Sequence, residues 1–215
     1  YNTAKTAGTA TGTADGLAGK PSVDLRKQPQ GYQDGYNAAY KVAHASYDTD
    51  ETIGATDGTA DGLAGKTKTD LTGKSTGYTK GYTSGYTAGQ TAYNTENAAG
   101  TNAGSADALA GKVPADLTSE PKGYQDGYTT AYSTARTSYE TDYQNGQVTG
   151  QTDGTNNKTT DNTGKSAGYQ AGYQDGHQTG EQLYNTAKTV GTTAGNSDGL
   201  AGKPSADLSK QPQGY

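Results

Sequence analysis

The sequence predicts an all-α repeat array, whose helices carry a stripe of glycine and alanine, are lined by tyrosine and are joined by proline-containing loops. Two observations predict this fold class. A Tyr-x-Thr element recurs with a period of 46 residues, which shortens once to 45, at Tyr1, Tyr47, Tyr93, Tyr139 and Tyr184. A fixed period of this size is typical of units that stack on their neighbours. Within each copy, small residues return at every fourth position, which places them on one helix face.

The period divides the chain into one array of five repeats, at 1–46, 47–92, 93–138, 139–183 and 184–215. The fourth repeat is degenerate, because it lacks one residue and carries Asn162 where other copies have leucine. The fifth repeat is partial, and the chain begins and ends inside a repeat. We therefore expect it to be a section of a longer array.

The first segment of the first, second and fifth repeats is a glycine run that closes on Asp-Gly-Leu-Ala-Gly-Lys, as at residues 15–20. The third repeat carries Ala108 in place of a glycine of this motif, and the fourth departs from it after Asp153-Gly154. A polar segment with an Asp-Leu pair, Asp24 in the first copy, follows it. All six prolines lie in these segments, where they interrupt helices, at Pro21, Pro29, Pro114, Pro121, Pro204 and Pro212. We expect the recurring Asp24 to cap the start of a helix and the recurring Lys20 to lie near a helix C-terminus, where the helix dipole favours a cation.

The second segment begins with Gly-Tyr-x-x-Gly-Tyr, in which glycine and tyrosine form adjacent stripes. Stripes of small residues four apart let two helix backbones approach closely. The glycines expected to pack in this way are Gly31, Gly35, Gly77, Gly81, Gly123, Gly127, Gly168 and Gly172. No proline interrupts residues 31–65, so a continuous helix there would be about 50 Å long. The alternative is a helical hairpin broken near residues 47–49, with Thr49 as the cap of its second helix.

A β-solenoid of short Thr/Tyr strands and glycine turns is the alternative fold. Glycine costs about 0.8–1.0 kcal/mol at an interior helix position relative to alanine, and the chain has 33 glycines. A spacing of four also keeps residues on one face of a strand. The helical interpretation is favoured by the long proline-free segments.

Tyrosine must supply much of the buried apolar surface, because Leu, Ile, Val and Phe together make up only 15 of 215 residues. The same tyrosines, interleaved with Gln, Asp and Asn, are typical of a carbohydrate-binding surface. The candidate ligand-contacting tyrosines are Tyr32, Tyr36, Tyr78, Tyr82, Tyr124, Tyr128, Tyr169 and Tyr173. The competing interpretation is that these side chains form the core.

Residue types that carry chemistry are scarce. There is no cysteine, and the two histidines, His44 and His177, fall at different positions of the repeat, as surface or groove substitutions would. We therefore expect no enzyme active site, no cofactor and no metal site. A pI of about 4.9 argues against nucleic acid as a partner. No apolar run approaches the roughly 20 residues that span a bilayer.

The motifs Asp-Gly-Leu-Ala-Gly-Lys-Pro (15–21), Asp-Leu (24–25) and Gly-Tyr-Gln-Asp-Gly-Tyr-Asn-Ala-Ala-Tyr (31–40) resemble the Gly/Tyr-rich repeats of large cell-wall-anchored surface proteins of lactobacilli and related lactic acid bacteria. The resemblance covers the whole chain. It implies an extracellular location on the cell wall of a Gram-positive bacterium and adjoining repeats of a longer chain, and it supplies no catalytic residues.

Two functions are compatible with this resemblance. The first is a structural stalk or spacer that projects an adhesive domain. The second is a module that binds glycans, mucus, or host or neighbouring-cell proteins through exposed rows of tyrosine. A third and more distant hypothesis is adsorption to ice or another surface through rows of threonine.

Overall fold

The computed structural model describes all 215 residues as five α-helices joined by loops. The helices are α1 (Asn2–Leu17), α2 (Gln30–Leu63), α3 (Thr76–Leu109), α4 (Lys122–Thr155) and α5 (Ala167–Leu200). No strand is present. The prediction of an all-α fold with repeated helix–loop units is confirmed, and the β-solenoid is excluded.

Each of the helices α2 to α5 has 34 residues and covers the end of one sequence repeat and the start of the next. The hairpin alternative is wrong, because α2 continues without interruption through residues 47–49. Thr49 does not cap a helix, since its hydroxyl donates to the carbonyl of Ala45 at 2.9 Å within the same helix. Many threonines satisfy their hydroxyls in this way, so the threonine-rich helices expose few unpaired donors.

Helix ends are built from the Asp-Gly-Leu-Ala-Gly-Lys motif. At the end of α1 the amide of Lys20 donates to the carbonyl of Asp15 at 3.1 Å, and the amide of Gly19 donates to that of Gly16 at 3.0 Å. Gly19 has φ = +65°, which completes a Schellman motif. The same left-handed glycine ends the other regular copies, at Gly65, Gly111 and Gly202. In the fourth repeat Asn157 adopts this conformation, with φ = +53°.

The chain forms two compact units. The first comprises residues 1–99 and 119–126, and the second comprises residues 100–118 and 127–215. Within the first unit, Gly54 of α2 faces Tyr78 of α3, and Gly58 faces Tyr82. Because the residue numbers rise together along both helices, the two helices are parallel, and the loop between them runs back along α2.

The same parallel arrangement recurs in both units. In the first unit, Gly8 and Gly12 of α1 face Tyr32 and Tyr36 of α2. In the second unit, α4 and α5 pack in the same way, beginning with Gly146 against Tyr169. The second half of α2 and of α4 lies beside the first half of the next helix, whereas the shorter α1 lies along the first half of α2 over its whole length.

The core consists mainly of tyrosine. The largest fully buried side chains are Tyr36, Tyr82 and Tyr128, with 0%, 1% and 2% of their surface exposed. The leucine of the helix-ending motif is about half exposed at Leu17 and Leu63. Aromatic rings therefore replace the aliphatic core that the sequence lacks.

Candidate functional site

Two features recur in each pair of neighbouring helices, and the first is a close contact between glycine faces. We call this the glycine seam. In the first unit a Cβ atom at Gly81 would overlap the carbonyl oxygen of Glu51, and one at Gly58 would overlap that of Tyr82. Glycines of each helix thus face the backbone of the other. The two backbones approach more closely than any side chain would allow, in the range where Cα–H groups contact carbonyl oxygens.

The second feature, which we call the tyrosine clamp, joins a helix end, the following loop and the next helix. In the first unit Asp61 accepts hydrogen bonds from Lys66 Nζ at 2.8 Å and from the hydroxyl of Tyr82 at 2.7 Å. The same hydroxyl accepts from the amide of Thr69 in the loop at 3.2 Å. A single buried oxygen therefore fixes three segments at once.

The clamp is repeated with the same chemistry. Asp15 accepts from Lys20 at 2.9 Å and from Tyr36 at 3.2 Å. In the second unit, Asp107 accepts from Lys112 at 2.8 Å and from Tyr128 at 3.0 Å. The loop amide of Ala115 donates to the hydroxyl of Tyr128 at 3.0 Å. The tyrosine of the clamp is always the second one of Gly-Tyr-x-x-Gly-Tyr.

One turn further on, a third tyrosine donates to the carbonyl of the clamp lysine. The oxygen–oxygen distances are 2.6 Å from Tyr40 to Lys20 and 2.8 Å from Tyr86 to Lys66. His177 takes this position in the fourth repeat, with Nε2 2.7 Å from the carbonyl of Lys158. Because a carbonyl can only accept, Nε2 carries the proton. His177 thus lies in the groove between the helices, with 15% of its side chain exposed.

The electrostatics of the clamp favour its ionised form. The hydrogen bond from Lys66 lowers the pKa of Asp61 below its usual value, and the bond from Tyr82 lowers it further. The hydrogen bond to Asp61 in turn raises the pKa of Lys66. Burial raises the pKa of the Tyr36 and Tyr128 hydroxyls. These tyrosines therefore stay neutral donors at physiological pH.

The tyrosine of Tyr-x-Thr, which gives the sequence its period, packs against the left-handed glycine that ends the preceding helix. A Cβ atom at Gly65 would lie 2.6 Å from the ring of Tyr93. In the second unit, a Cβ atom at Gly111 would lie 2.8 Å from the ring of Tyr139. In these two copies glycine is therefore favoured by both its φ angle and its contact with the ring.

The structure places the eight candidate tyrosines in two classes. The second tyrosine of each motif is buried, as described for Tyr36, Tyr82 and Tyr128, and Tyr173 is 7% exposed. The first tyrosine of each motif is half-buried, at Tyr32, Tyr78, Tyr124 and Tyr169. Contact of either class with a ligand stays a prediction.

The eight candidate packing glycines are all buried. Most of them face a carbonyl group of a neighbouring helix. For example, Gly31 faces that of Tyr1, Gly123 that of Tyr93 and Gly168 that of Tyr139. These glycines lie in the glycine seam of their helix pair.

The expected role of the loop aspartates is wrong. Asp24 accepts from the amide of Arg26 at 3.0 Å and stabilises a turn within the loop, whereas α2 begins only at Gln30. The residue that precedes α2 is Pro29, which makes no side-chain hydrogen bond as a cap. Sequence reasoning also missed Asp15 as the partner of Lys20. The spacing of five residues between these two, kept in every regular copy, could have revealed it.

The structure also bears on metal binding and membrane insertion. It shows no group of three or more His, Asp or Glu side chains placed to hold a metal ion. None of the five helices combines the length and the apolar character needed to cross a membrane. Comparison of the chain with protein-family models, with curated proteins and with solved structures finds no match.

Proposed function

We propose that the chain is a structural stalk or spacer in a bacterial cell-surface adhesin, where it projects an adhesive domain from the cell wall. The observation that carries this proposal is the repeated combination of glycine seam and tyrosine clamp. The seam joins two neighbouring helices, and the clamp joins the end of one helix, its following loop and the next helix. Repeats joined in this way can be added or lost without redesigning the rest of the chain.

The stagger of the helices supports a spacer role. In the first unit a glycine of α2 faces a residue 24 positions further along the chain, and a glycine of α3 faces one 30 positions back. Residues at the same level of the two helices are therefore about 27 positions apart in the chain, on average. Equivalent residues of successive repeats are 46 positions apart, so each repeat lies about 19 residues further along the helix axis than the one before. At 1.5 Å per residue this is about 28 Å. A chain of 46 residues thus gains considerable length with few apolar side chains.

The proposal is tested by tandem duplication of residues 47–92 in the intact chain. Small-angle X-ray scattering should show that the maximum dimension grows by about 28 Å for each added copy. The matched control is the same duplication with Gly81→Leu in the added copy, which should disrupt the linear increase. A maximum dimension that stays constant, or grows as the cube root of the mass, would refute the spacer function.

A second candidate function is binding of glycans or host proteins by the half-buried tyrosines. It is favoured by the partial exposure of their rings, as at Tyr32, where an aromatic surface and neighbouring amides could contact a sugar. At Tyr78 and Tyr169 a lysine lies over the ring, with Lys74 Nζ 4.8 Å and Lys165 Nζ 5.4 Å from the ring centres, so a stacking sugar would have to displace it there. Binding to immobilised mucin should then fall on Tyr32→Ala with the helical circular dichroism signal unchanged. Equal binding by the variant and the parent chain would eliminate this function for that tyrosine.

A further inference from the structure

The glycine seam between α2 and α3 has an internal period of four residues on both helices. α2 contributes three glycines and α3 contributes four, namely Gly54, Gly58 and Gly62 with Gly77, Gly81, Gly85 and Gly89. The tyrosines of the same helix pair follow the same interval, at Tyr78, Tyr82 and Tyr86. A displacement of one helix by four residues, about 6 Å along the axis with a turn of about 40°, therefore places most glycines and tyrosines of the seam where a residue of the same type lay before.

The two directions of displacement are not equivalent. Movement of α3 towards the C-terminal end of α2 brings Gly77 to the position of Gly81 and Gly85 to that of Gly89, so the closest positions stay glycine. Movement in the opposite direction brings Tyr93 to the position of Gly89, where a Cβ atom would overlap the carbonyl of Thr59. Lengthening of the pair is therefore sterically allowed, whereas shortening is blocked.

The same block against shortening is present in the other helix pairs. Between α1 and α2, shortening would bring Ala39 to the position of Gly35, where a Cβ atom would overlap the carbonyl of Lys5. Between α4 and α5, it would bring Tyr184 to the position of Gly180, against the carbonyl of Gln151. A bulkier residue thus ends the glycine stripe on the same side each time.

The tyrosine clamp can form again after lengthening. Tyr78 would take the place of Tyr82 beside Asp61 and the amide of Thr69, and Tyr82 would take the place of Tyr86 at the carbonyl of Lys66. Lengthening breaks the hydrogen bond from Tyr78 to Asp57 at 2.8 Å. It also breaks the ion pair between Lys80 and Glu51 at 3.0 Å. It also carries the ring of Tyr93 away from Gly65. The native register is therefore favoured at rest by two polar interactions and this ring contact.

The loop between the two helices does not oppose lengthening. Residues 64–75 run back from the end of α2 to the start of α3, which lies beside the middle of α2. The axial span between these two points is about 20 Å. Because lengthening shifts α3 forward, it brings the two ends of the loop closer together, and the twelve loop residues need not stretch.

We propose that the α2–α3 pair is an extensible joint with a second register, four residues longer than the native one, which becomes occupied under tension along the helix axis. The value of such a joint to a stalk rests on the proposed function. The existence of the second register does not, since it follows from the glycine and tyrosine intervals alone.

Paired cysteines in the intact chain test this proposal, because the natural sequence has no cysteine. Two double variants report the native register, namely Glu51→Cys with Lys80→Cys and Ala55→Cys with Ser84→Cys. Ala55→Cys with Lys80→Cys reports the longer register, and Glu51→Cys with Ser84→Cys reports the shorter one. With a short bifunctional thiol reagent, we expect rapid cross-linking of the native pairs and slower cross-linking of the pair that reports the longer register. The variant Leu63→Cys with Lys80→Cys measures the background rate. The pair that reports the shorter register should not cross-link faster than this background.

Two matched variants separate a true register change from general loosening, because both delete the native hydrogen bond between Tyr78 and Asp57. Asp57→Ala removes a group that the longer register does not use, so cross-linking of the longer pair should rise roughly threefold to tenfold. Tyr78→Phe removes the hydroxyl that the longer register needs beside Asp61, so the same rate should stay level or fall. Changes in the same direction for both variants would overturn the proposal.

Equal rates for the longer and the shorter pair would also overturn it. Neither result depends on how the length of the array grows with the number of repeats. Failure of the extensible joint is therefore distinguishable from failure of the spacer function.

Discussion

The second and fourth repeats form the same tyrosine clamp with different residues. Around Asp61 the clamp has its lysine, its left-handed glycine and three tyrosines at successive turns. Around Asp153, Asn157 takes the left-handed position and His177 replaces a tyrosine. The pKa of Asp153 is lowered first by its hydrogen bond from Thr160 and then by that from Tyr173, with Lys158 as the last contributor.

The glycine seam, by contrast, is unchanged in the fourth repeat. Gly146, Gly150 and Gly154 of α4 face the backbone of α5, as their counterparts in α2 face α3. Polar partners can be exchanged because a hydroxyl or an imidazole can make the same hydrogen bond. In these two helix pairs a carbonyl group lying where a Cβ atom would stand leaves no such choice. Backbone proximity is therefore the stricter requirement of the second and fourth repeats, whereas alanine replaces a seam glycine elsewhere, as at Ala39 and Ala108.

The largest expected effect is therefore a substitution in the seam of either repeat. Gly81→Leu and Gly150→Leu should each lower the free energy of unfolding by about 3 kcal/mol or more, because two backbones must separate to admit the side chain. Urea unfolding followed by circular dichroism measures this. Gly195→Ala is the control, since nothing lies within 4 Å of a Cβ atom there, and it should be neutral or stabilising by up to about 1 kcal/mol. Unchanged midpoints for the seam variants would contradict the packing described here.

Acid should weaken all clamps together. The folded-state pKa values of Asp15, Asp61, Asp107 and Asp153 are lowered from the ordinary 3.8. Their ionised forms therefore stabilise the fold fully above that value, and this stability is lost as the pH falls through the lower folded-state values. We expect a thermal midpoint that changes little from pH 5 to 8 and falls below about pH 4.

The variants Asp61→Asn and Asp153→Asn sharpen the comparison of the two repeats by their pH dependence. The first should flatten the acid dependence more than the second, since the lysine is the principal partner only of Asp61. Thermal unfolding at pH 3 and pH 7 gives the difference for each variant. A larger change for Asp153→Asn would mean that the fourth clamp depends on its charge more than its partners indicate.

Removal of one clamp hydroxyl should have a smaller effect. Tyr82→Phe leaves the amide of Thr69 without its acceptor and Asp61 without one donor in a buried site, which should cost about 1–3 kcal/mol. Tyr173→Phe should cost a similar amount, because its hydroxyl bonds the amide of Thr160 at 2.8 Å and Asp153 at 2.9 Å. Chemical denaturation measures both. A cost in one repeat only would show that the clamp hydroxyl is not equivalent in the two.

The sequence predicts the helices and their glycine faces because both depend on intervals that can be read along the chain. The period of four placed Gly31 and Gly81 on a packing face, and the prolines marked the loops. The clamp could not be predicted in the same way, because Asp61 and Tyr82 lie 21 residues apart and meet only through the stagger of parallel helices. The resulting prediction for Asp24 was wrong for the same reason: a cap was expected from local sequence, while the stabilising aspartate belongs to the preceding helix end.

The smallest expected effect concerns Asn162, which stands where the other repeats carry leucine. Its Oδ1 atom is buried and accepts no hydrogen bond, and an unpaired buried acceptor is destabilising. The equivalent Leu25 of the first repeat is 9% exposed, so the site accommodates an aliphatic side chain. Asn162→Leu should therefore raise the free energy of unfolding by about 1 kcal/mol. Leu25→Asn is the reciprocal variant and should lower it. If Asn162→Leu destabilised the chain instead, the altered loop of the fourth repeat would be adapted to asparagine. The difference between the two repeats would then reflect specialisation of that loop and not loss of a stabilising leucine.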